Sequence, residues 1–303
     1  MNENNIKLVN TDCTMYLDKI EYSSVDMVLS DIPYGISYDE WDILHNNHNS
    51  ALGGTSPSQQ KAGSVFKKRG KPLNGWSSAD KNISNEYYEW CSKWMPKIFN
   101  ILKPGASAFI FAGRRMSHKC ISAMEDAGFI FKDMIAWEKN QAPHRAQKVS
   151  CVFNRRKDEE NSNRWKDWRL GNLRPIFEPI LWFMKPYKIG GTITDNLLDY
   201  ELGAFNNETW KKYNYICANT IKVKHEKSDT GFHPTQKPVM LMESLIELVT
   251  KEGQVVLDPF MGSGSTGVAC QILNRKFIGI EIDKHFFKIA EQRILSVNPL
   301  GLI

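Results

Sequence analysis

Val255-Val256-Leu257-Asp258-Pro259-Phe260-Met261-Gly262-Ser263-Gly264-Ser265 is a short apolar run that ends in an acid, a proline and an aromatic residue, then turns through glycine. Ser30-Asp31-Ile32-Pro33-Tyr34-Gly35, which follows the mostly apolar run Val25 to Leu29, ends in the same way. Buried parallel strands read as short apolar runs of this kind. In an open α/β sheet, the loops leaving the carboxyl ends of the strands build the ligand crevice. If the two runs are neighbouring strands of one sheet, both loops open onto the same crevice.

The flanking sequence supports such a sheet. Beyond the glycine loop, a helix from about Ser265 to Leu273 and a strand from Phe277 to Ile282 complete a βαβ unit, and a last helix runs from about Lys284 to Leu295. Ahead of the loop, Val239, Met242, Leu245, Ile246 and Val249 form a helical apolar stripe ending at Gly253, with Thr235 placed to cap it and Pro238 in its first turn. Near the start, Ile6 to Asp12 reads as a strand followed by a brief helix around Tyr16 to Ile20. Tyr87, Cys91, Trp94, Ile98 and Leu102 predict an amphipathic helix over 85–102, which Pro96 is expected to kink or split. Lys103-Pro104-Gly105 stops it. A strand (106–111), a helix (114–127) and a strand (128–137) follow at short spacing, as a parallel sheet covered on both faces requires.

Two stretches break this rhythm. Residues 43–83 read as a long polar loop, expected to form a basic flap beside the Asp31 crevice. Residues 139–231 carry one clear strand, Ile180 to Met184. Their first part interleaves Arg and Lys with Trp165, Trp168, Asn154, Asn161 and Asn163. Charge is segregated to the same places. Lys139 to Lys188 holds 12 Lys/Arg against 5 Asp/Glu, a balance of +7, and His45 to Lys81 holds 6 against 1, a balance of +5. The whole chain carries +5, so the remainder sums to −7. A basic face on an acidic body suits a polyanion, and Arg and Asn suit guanine and adenine edges. A solvated lysine-rich surface has the same composition.

At 303 residues, with 42% hydrophobic and 24% charged residues, the composition is that of a soluble globular protein. No apolar run approaches the ~20 residues of a membrane span, and Met1 to Asn5 lacks the layout of a secretion signal. Cys13, Cys91, Cys120, Cys151, Cys217 and Cys270 are scattered, so reduced, buried thiols are expected rather than a zinc site or disulfide framework. His118, His144 and His225 show no ligand spacing, and no metal is expected.

Glycines in the Asp258 loop let backbone approach a ligand and leave helix N–H groups unpaired. Glu281 lies 23 residues beyond Asp258 at the end of the next strand, about where dinucleotide folds place the acid that binds a ribose diol. The loop has neither GxGxxG spacing nor a P-loop lysine, which disfavours NAD and ATP. Asp258 would repel a pyrophosphate and suit an ammonium or sulfonium ligand.

These motifs together resemble the amino-group DNA methyltransferases. DPFMGSGS (258–265) looks like their S-adenosylmethionine-binding motif, and DIPYG (31–35) like their catalytic motif, most often written [DNS]PP[YFW]. His233-Pro234-Thr235-Gln236-Lys237-Pro238 looks like the segment that leads into the cofactor loop in the permuted β-class. Phe277 to Glu281 resembles the ribose-binding strand, and Glu178-Pro179-Ile180-Leu181-Trp182-Phe183 another family segment. Catalytic motif first, cofactor loop last and a variable basic region between is the β-class order. The resemblance covers roughly residues 6–41, 84–138 and 232–296.

It implies a Rossmann-like α/β fold with a seven-stranded, mostly parallel sheet and an inserted target-recognition region at 139–231. Residues 1–138 and 232–303 would form the catalytic domain. It further implies S-adenosylmethionine contacts at Asp12, Asp31, Thr235, Lys237, Asp258, Pro259, Phe260, Gly262, Ser263, Gly264, Ser265 and Glu281. Thr235 and Lys237 would meet the cofactor's carboxylate. Double-stranded DNA is the implied substrate, with a homodimer and a cognate restriction endonuclease as candidate partners and a bacterial or phage-encoded cytoplasmic setting.

The chemistry of residues 31–34 agrees. An exocyclic amine on adenine or cytosine is a poor nucleophile because its lone pair is delocalised into the ring. The Asp31 carboxylate and the Ile32 carbonyl would accept its two hydrogens and favour a pyramidal nitrogen, with preorganised acceptors aimed at developing positive charge. Tyr34 offers a face on which an extruded base can stack. Ile32 stands where the family usually has its first proline, yet it keeps the carbonyl, and Pro33 still biases it toward extended backbone. Trp41 and Trp137 are candidate walls of the base pocket. Asp at position 31 goes mostly with N6-adenine methylation. N4-cytosine methylation, a non-catalytic DNA-binding protein that retains the fold, and an RNA or protein substrate are the alternatives.

Overall fold

Alternation along the strands sorts the buried residues onto two faces of one sheet. On the strand Val25–Asp31, Val28 joins one core and Met27 and Leu29 the other, while an irregularity in register between Val25 and Met27 puts Val25 in the core of Val28. On Leu102–Phe111, Ala106, Ala108 and Ile110 oppose Phe109 and Phe111. The computed structural model describes residues 5–35, 50–52, 68–72, 78–139, 146–214, 216–224 and 236–297.

In chain order the described strands are β1 (Ile6–Asn10), β2 (Val25–Asp31), β3 (Ser50–Leu52), β4 (Lys68–Pro72), β5 (Leu102–Phe111), β6 (Ile130–Glu138), β7 (Gln147–Lys148), β8 (Arg169–Leu170), β9 (Phe177–Met184), β10 (Thr220–Lys222), β11 (Val255–Asp258) and β12 (Lys276–Glu281). The α-helices are α1 (Cys13–Tyr16), α2 (Ser78–Ile101), α3 (Ser117–Asp126), α4 (Val149–Arg155), α5 (Glu159–Arg164), α6 (Ile193–Tyr200), α7 (Asn207–Asn214), α8 (Val239–Val249), α9 (Ser265–Ile272) and α10 (Lys284–Leu295). The main sheet runs β1-β12-β11-β2-β5-β9-β6-β10. Only β9 is antiparallel to its neighbours β5 and β6. Helices α1, α2 and α3 contribute to the core on one face, and α7 to α10 to the core on the other.

The two runs that anchor the sequence reading are adjacent: β11 pairs parallel with β2, Val256 opposite Met27 and Leu257 opposite Val28. Several boundaries differ from expectation. Among the described residues the main sheet has eight strands rather than seven; the extra one, β10, is three residues long, and with only Ile221 buried it has no apolar run to announce it. Pro96 does not split α2, which continues from Ser78 to Ile101. Trp94, Met95 and Ile98 are fully buried on both sides of the proline, and that tertiary packing outweighs the lost backbone bond. Helix α8 starts after Pro238, whose extended backbone makes it the N-cap, and ends at Val249. Thr235 lies outside the described residues, as do Trp41, His144 and His225.

Within 43–83, the expected polar loop, β3 and β4 pair antiparallel; most of the remaining flap residues lie outside the described set. Within 139–231, β9 and β10 belong to the main sheet, while β7 pairs with β8 beside α4 and α5. All six cysteines are free thiols; Cys151 and Cys217 are exposed, and the other four are buried as expected. No helix among the described residues is long and apolar enough to cross a membrane.

Candidate active site

Four neighbouring strands, β1, β12, β11 and β2, bring an acid to the same end of the sheet. Glu281, Asp258 and Asp31 close their strands, and Asp12 follows β1 by two residues. Parallel pairing puts these ends side by side, which is where an open α/β sheet forms its crevice. A cavity of about 360 Å³ lies there. Its lining includes Asp12, Asp31, Ile32, Pro33, Tyr34, Lys237, Asp258, Pro259, Phe260, Gly262, Ser263, Ser265 and Glu281. Apart from Thr235, which lies outside the described residues, and Gly264, the residues expected for catalysis and those expected for the cofactor thus share one cavity. Gly264 is not in the lining. It caps α9 in a left-handed conformation (φ 84°), and a Cβ there would lie 3.0 Å from the Ala290 Cβ.

Each acid is held by groups of the chain. Asp12 Oδ1 accepts from the Thr14 N–H at 2.7 Å and from the Thr14 hydroxyl at 2.6 Å, capping α1. Asp258 accepts from Ser30 Oγ (2.6 Å), the Phe260 N–H (3.1 Å) and Thr266 Oγ1 (2.6 Å), so it ties β2 to the glycine loop and to α9. Burial pushes its carboxyl up to about 7 against these donors, and the Asp31 charge adds to the rise. Glu281 accepts from the Gly262 N–H at 2.9 Å and the Asp283 N–H at 2.8 Å; burial raises its pKa as well.

Asp31 sits in a cluster that crosses the molecule. Lys237 Nζ lies 2.5 Å from Asp31 Oδ2, 3.2 Å from the Tyr34 hydroxyl and 3.1 Å from Glu178 Oε1. The Tyr34 hydroxyl donates to Glu178 Oε1, and Lys139 Nζ donates to Glu178 Oε2. Burial raises the pKa of Asp31, and Glu178's charge adds to that rise while Lys237 opposes it. For Glu178 burial acts in the same direction, but the Lys237 and Lys139 ammonium groups win and hold it at about 2. Lys237 keeps its proton: burial works against the charge, and the two carboxylates outweigh burial.

Asp31 Oδ1, by contrast, is buried and has no hydrogen-bond partner. So are Ser265 Oγ and both amide atoms of Gln236, two residues in the cavity wall. Buried polar atoms are nearly always satisfied, so orphans gathered at one cavity mark a place for a polar ligand. A Cβ on Gly262 would meet nothing within 4 Å, which leaves open space beside its backbone.

Glu178, Lys139, Gln236, Thr266 and Trp90 complete the site, and motif reading did not assign them. Glu178 had a signal, the Glu178-Pro179 segment, but its role depends on a partner 144 residues away. Trp90 projects from α2 and stacks near Phe260, ring centroids 5.5 Å apart. Trp137 does not wall the pocket. It is buried against Phe111, and its indole N–H donates to the Val223 carbonyl at 3.1 Å. No metal-binding cluster occurs among the described residues, and His118 is exposed.

Comparison with known proteins follows the same lines. A family model described as DNA methylase matches residues 25–292. The chain is 52% identical over 300 residues to the Type II methyltransferase M.HindIII of Haemophilus influenzae, covering 97% of this chain and 95% of that one. It is 31% identical to the Type II methyltransferase M2.DpnII of Streptococcus pneumoniae, over 98% of this chain and 92% of that one. Among solved structures, the cytosine-N4-specific PvuII DNA methyltransferase superposes with TM-score 0.62 at 16% identity, over 97% of this chain and 88% of that one. The M1.HpyAVI–SAM complex does so with TM-score 0.52 at 23% identity, over 96% and 100%. At these identities the structural likeness concerns the fold alone.

Proposed function

The chain belongs to the DNA methylase family, and we propose that it methylates the N6 amino group of adenine at a specific site in double-stranded DNA. It is an S-adenosylmethionine-dependent DNA methyltransferase of the restriction–modification type. When bound, S-adenosylmethionine supplies an electrophilic methyl group on a sulfonium sulfur. The residues fit such a ligand. Glu281 keeps acceptor capacity for a ribose diol, the Gly262 backbone faces open space, and Trp90 and Phe260 offer aromatic surface. The orphaned Ser265 and Gln236 groups are polar partners in waiting. Asp12, Pro259, Ser263 and Asp258 complete the wall, and Gly264 shapes the loop through its cap on α9.

The observation that carries the catalytic reading is the unpartnered, buried Oδ1 of Asp31. In this reading it and the carbonyl of Ile32, a neighbouring residue of the cavity wall, accept the two hydrogens of an exocyclic amine and localise the nitrogen lone pair. An amino nitrogen that has received a methyl group would have a proton to lose. The raised pKa of Asp31 suits Oδ1 to take it. Tyr34, its hydroxyl fixed by Glu178 and Lys237, presents a ring for the extruded base.

The basic, aromatic stretch 146–176, outside the main sheet, is the proposed DNA-reading part of 139–231, with residues 1–138 and 232–303 as the catalytic body. A homodimer, a cognate restriction endonuclease and a bacterial or phage-encoded cytoplasmic setting belong to the same reading; of these, the Type II methyltransferase names of the relatives bear on the restriction–modification setting. The test is mass spectrometry of nucleosides from mixed-sequence DNA incubated with the protein and S-adenosylmethionine. N6-methyladenine is expected. N4-methylcytosine would overturn the choice of base, and no methylated base would overturn the reaction.

A further inference from the structure

Glu178 is not among the residues lining the cavity, yet both Lys237, which holds Asp31, and the Tyr34 hydroxyl beside it are bonded to its carboxylate. It is buried on β9. Its Oε1 takes the Tyr34 hydroxyl and Lys237, and its Oε2 takes Lys139. Lys237, itself buried, is shared between this carboxylate and Asp31 Oδ2. An ammonium has three donors, and here they meet acceptors on β2, on the loop after it and on β9. The charged members are two carboxylates and two ammonium groups, so the cluster is neutral when all are ionised.

We propose that Glu178 is a positioning residue for methyl transfer: it holds Lys237 and the Tyr34 hydroxyl on one side, so that Asp31 engages Lys237 through Oδ2 and offers Oδ1 alone to the amine. This rests on the catalytic reading of Asp31 given above. The two oxygens of a carboxylate are equivalent, so what matters is its plane. An ammonium held from the far side by a second carboxylate keeps that plane fixed, with one oxygen on Lys237 and the other turned away from it. The same contact fixes the plane of the Tyr34 ring through its hydroxyl, so one side chain sets both the acceptor and the stacking surface.

The charged and titratable groups facing Asp31 are Tyr34 on its own loop, Glu178 on β9, Lys237 ahead of α8 and Asp258 at the end of β11; Lys139, just beyond β6, bonds the far oxygen of Glu178 and acts through it. Two neutral substitutions on opposite sides of this network should therefore move Asp31 in opposite directions. Glu178→Gln removes a like charge and leaves Lys237 to Asp31, so Asp31 ionises at lower pH. Lys139→Gln leaves Glu178 short of a cation, draws Lys237 toward it and makes Asp31 ionise at higher pH.

The experiment is single-turnover transfer of a tritiated methyl group from S-adenosylmethionine to a plasmid of mixed sequence, measured across pH for wild type and both variants. Expected are a rate loss of roughly 10- to 100-fold for Glu178→Gln at the optimum and an acid limb displaced downward by about half a pH unit or more. An upward displacement is expected for Lys139→Gln, with cofactor affinity within about 2-fold of wild type in both. Opposite displacements are not produced by general loosening of the fold. Acid limbs that stay in place, or move together, overturn the inference while leaving the functional reading intact. Absence of transfer by the wild type overturns both. If Glu178→Gln does not fold, Lys139→Gln, at a side chain one-third exposed, decides alone by the direction of its limb.

Discussion

Asp31 and Asp258 are both acids at strand ends, the first half-buried and the second buried, and their surroundings divide their labour. Asp31 has one oxygen on Lys237 and one unpartnered, whereas both oxygens of Asp258 are taken by donors of the chain. Asp31→Ala is therefore expected to reduce transfer by at least about 10³-fold with little change in cofactor affinity. Asp258→Ala, which frees Ser30, Thr266 and the loop backbone together, should weaken cofactor binding; single-turnover rates and titration calorimetry separate the two. Asp258 also makes a pH-dependent contribution to stability. Its folded pKa of about 7 stands above the unfolded value of about 4, so between them the native state keeps a proton that the unfolded chain has released. Stability from this group falls as pH rises from about 4 to 7. Asp258→Asn has no proton to lose, so its melting temperature should gain on the wild type across that window, and a constant gap would refute the assignment.

The glycine loop between β11 and α9 shows how an element divides its constraints. Gly262 (φ 51°) and Gly264 (φ 84°) both adopt the left-handed backbone that glycine favours, but a side chain would meet different surroundings at each. At Gly264 a Cβ would press to 3.0–3.1 Å against Ala290 and Ile294 of α10, so alanine combines strain with overpacking and should cost about 2–4 kcal/mol in stability. At Gly262 the space is open, so alanine should cost about 1 kcal/mol in stability and act chiefly on cofactor affinity. Thermal melts and cofactor titration of the two variants should give this reversed ranking. The elements of this unit were legible from β11 to α10 because apolar period, glycine and strand length agree there. Helix α2 was legible in its apolar stripe but not in its continuity past Pro96, since the burial of Trp94 and Ile98 depends on the sheet beneath.

At the scale of the molecule, acidic strand ends line the cavity proposed for the cofactor, while basic residues concentrate in the exposed stretch 146–176. Trp165 and Trp168 meet edge to face there, ring centroids 5.2 Å apart, and Trp168 remains exposed. If this stretch tracks DNA phosphates, replacing exposed Lys166 and Arg174 by glutamine should weaken DNA binding across sequences. The slope of log affinity against log salt should become shallower by about one unit per residue. Cofactor affinity should not change. Fluorescence anisotropy over a salt series measures both quantities, and an unchanged slope would exclude these two side chains from phosphate contact.

What the residue order alone determined is the local chemistry: an acid, proline, aromatic and glycine after each of two apolar strands, a ribose-type acid after a third, and segregated basic charge. Those features are short in sequence, and strand and turn propensities act over the same few residues. The cluster on Glu178 was decided only by the tertiary structure. β9 enters antiparallel between β5 and β6 and brings Glu178 to Tyr34 from 144 residues away and to Lys139 from 39. Lys237 comes from 206 residues beyond Asp31. No local pattern encodes such meetings, because a buried charge is stable only beside partners that the completed sheet assembles.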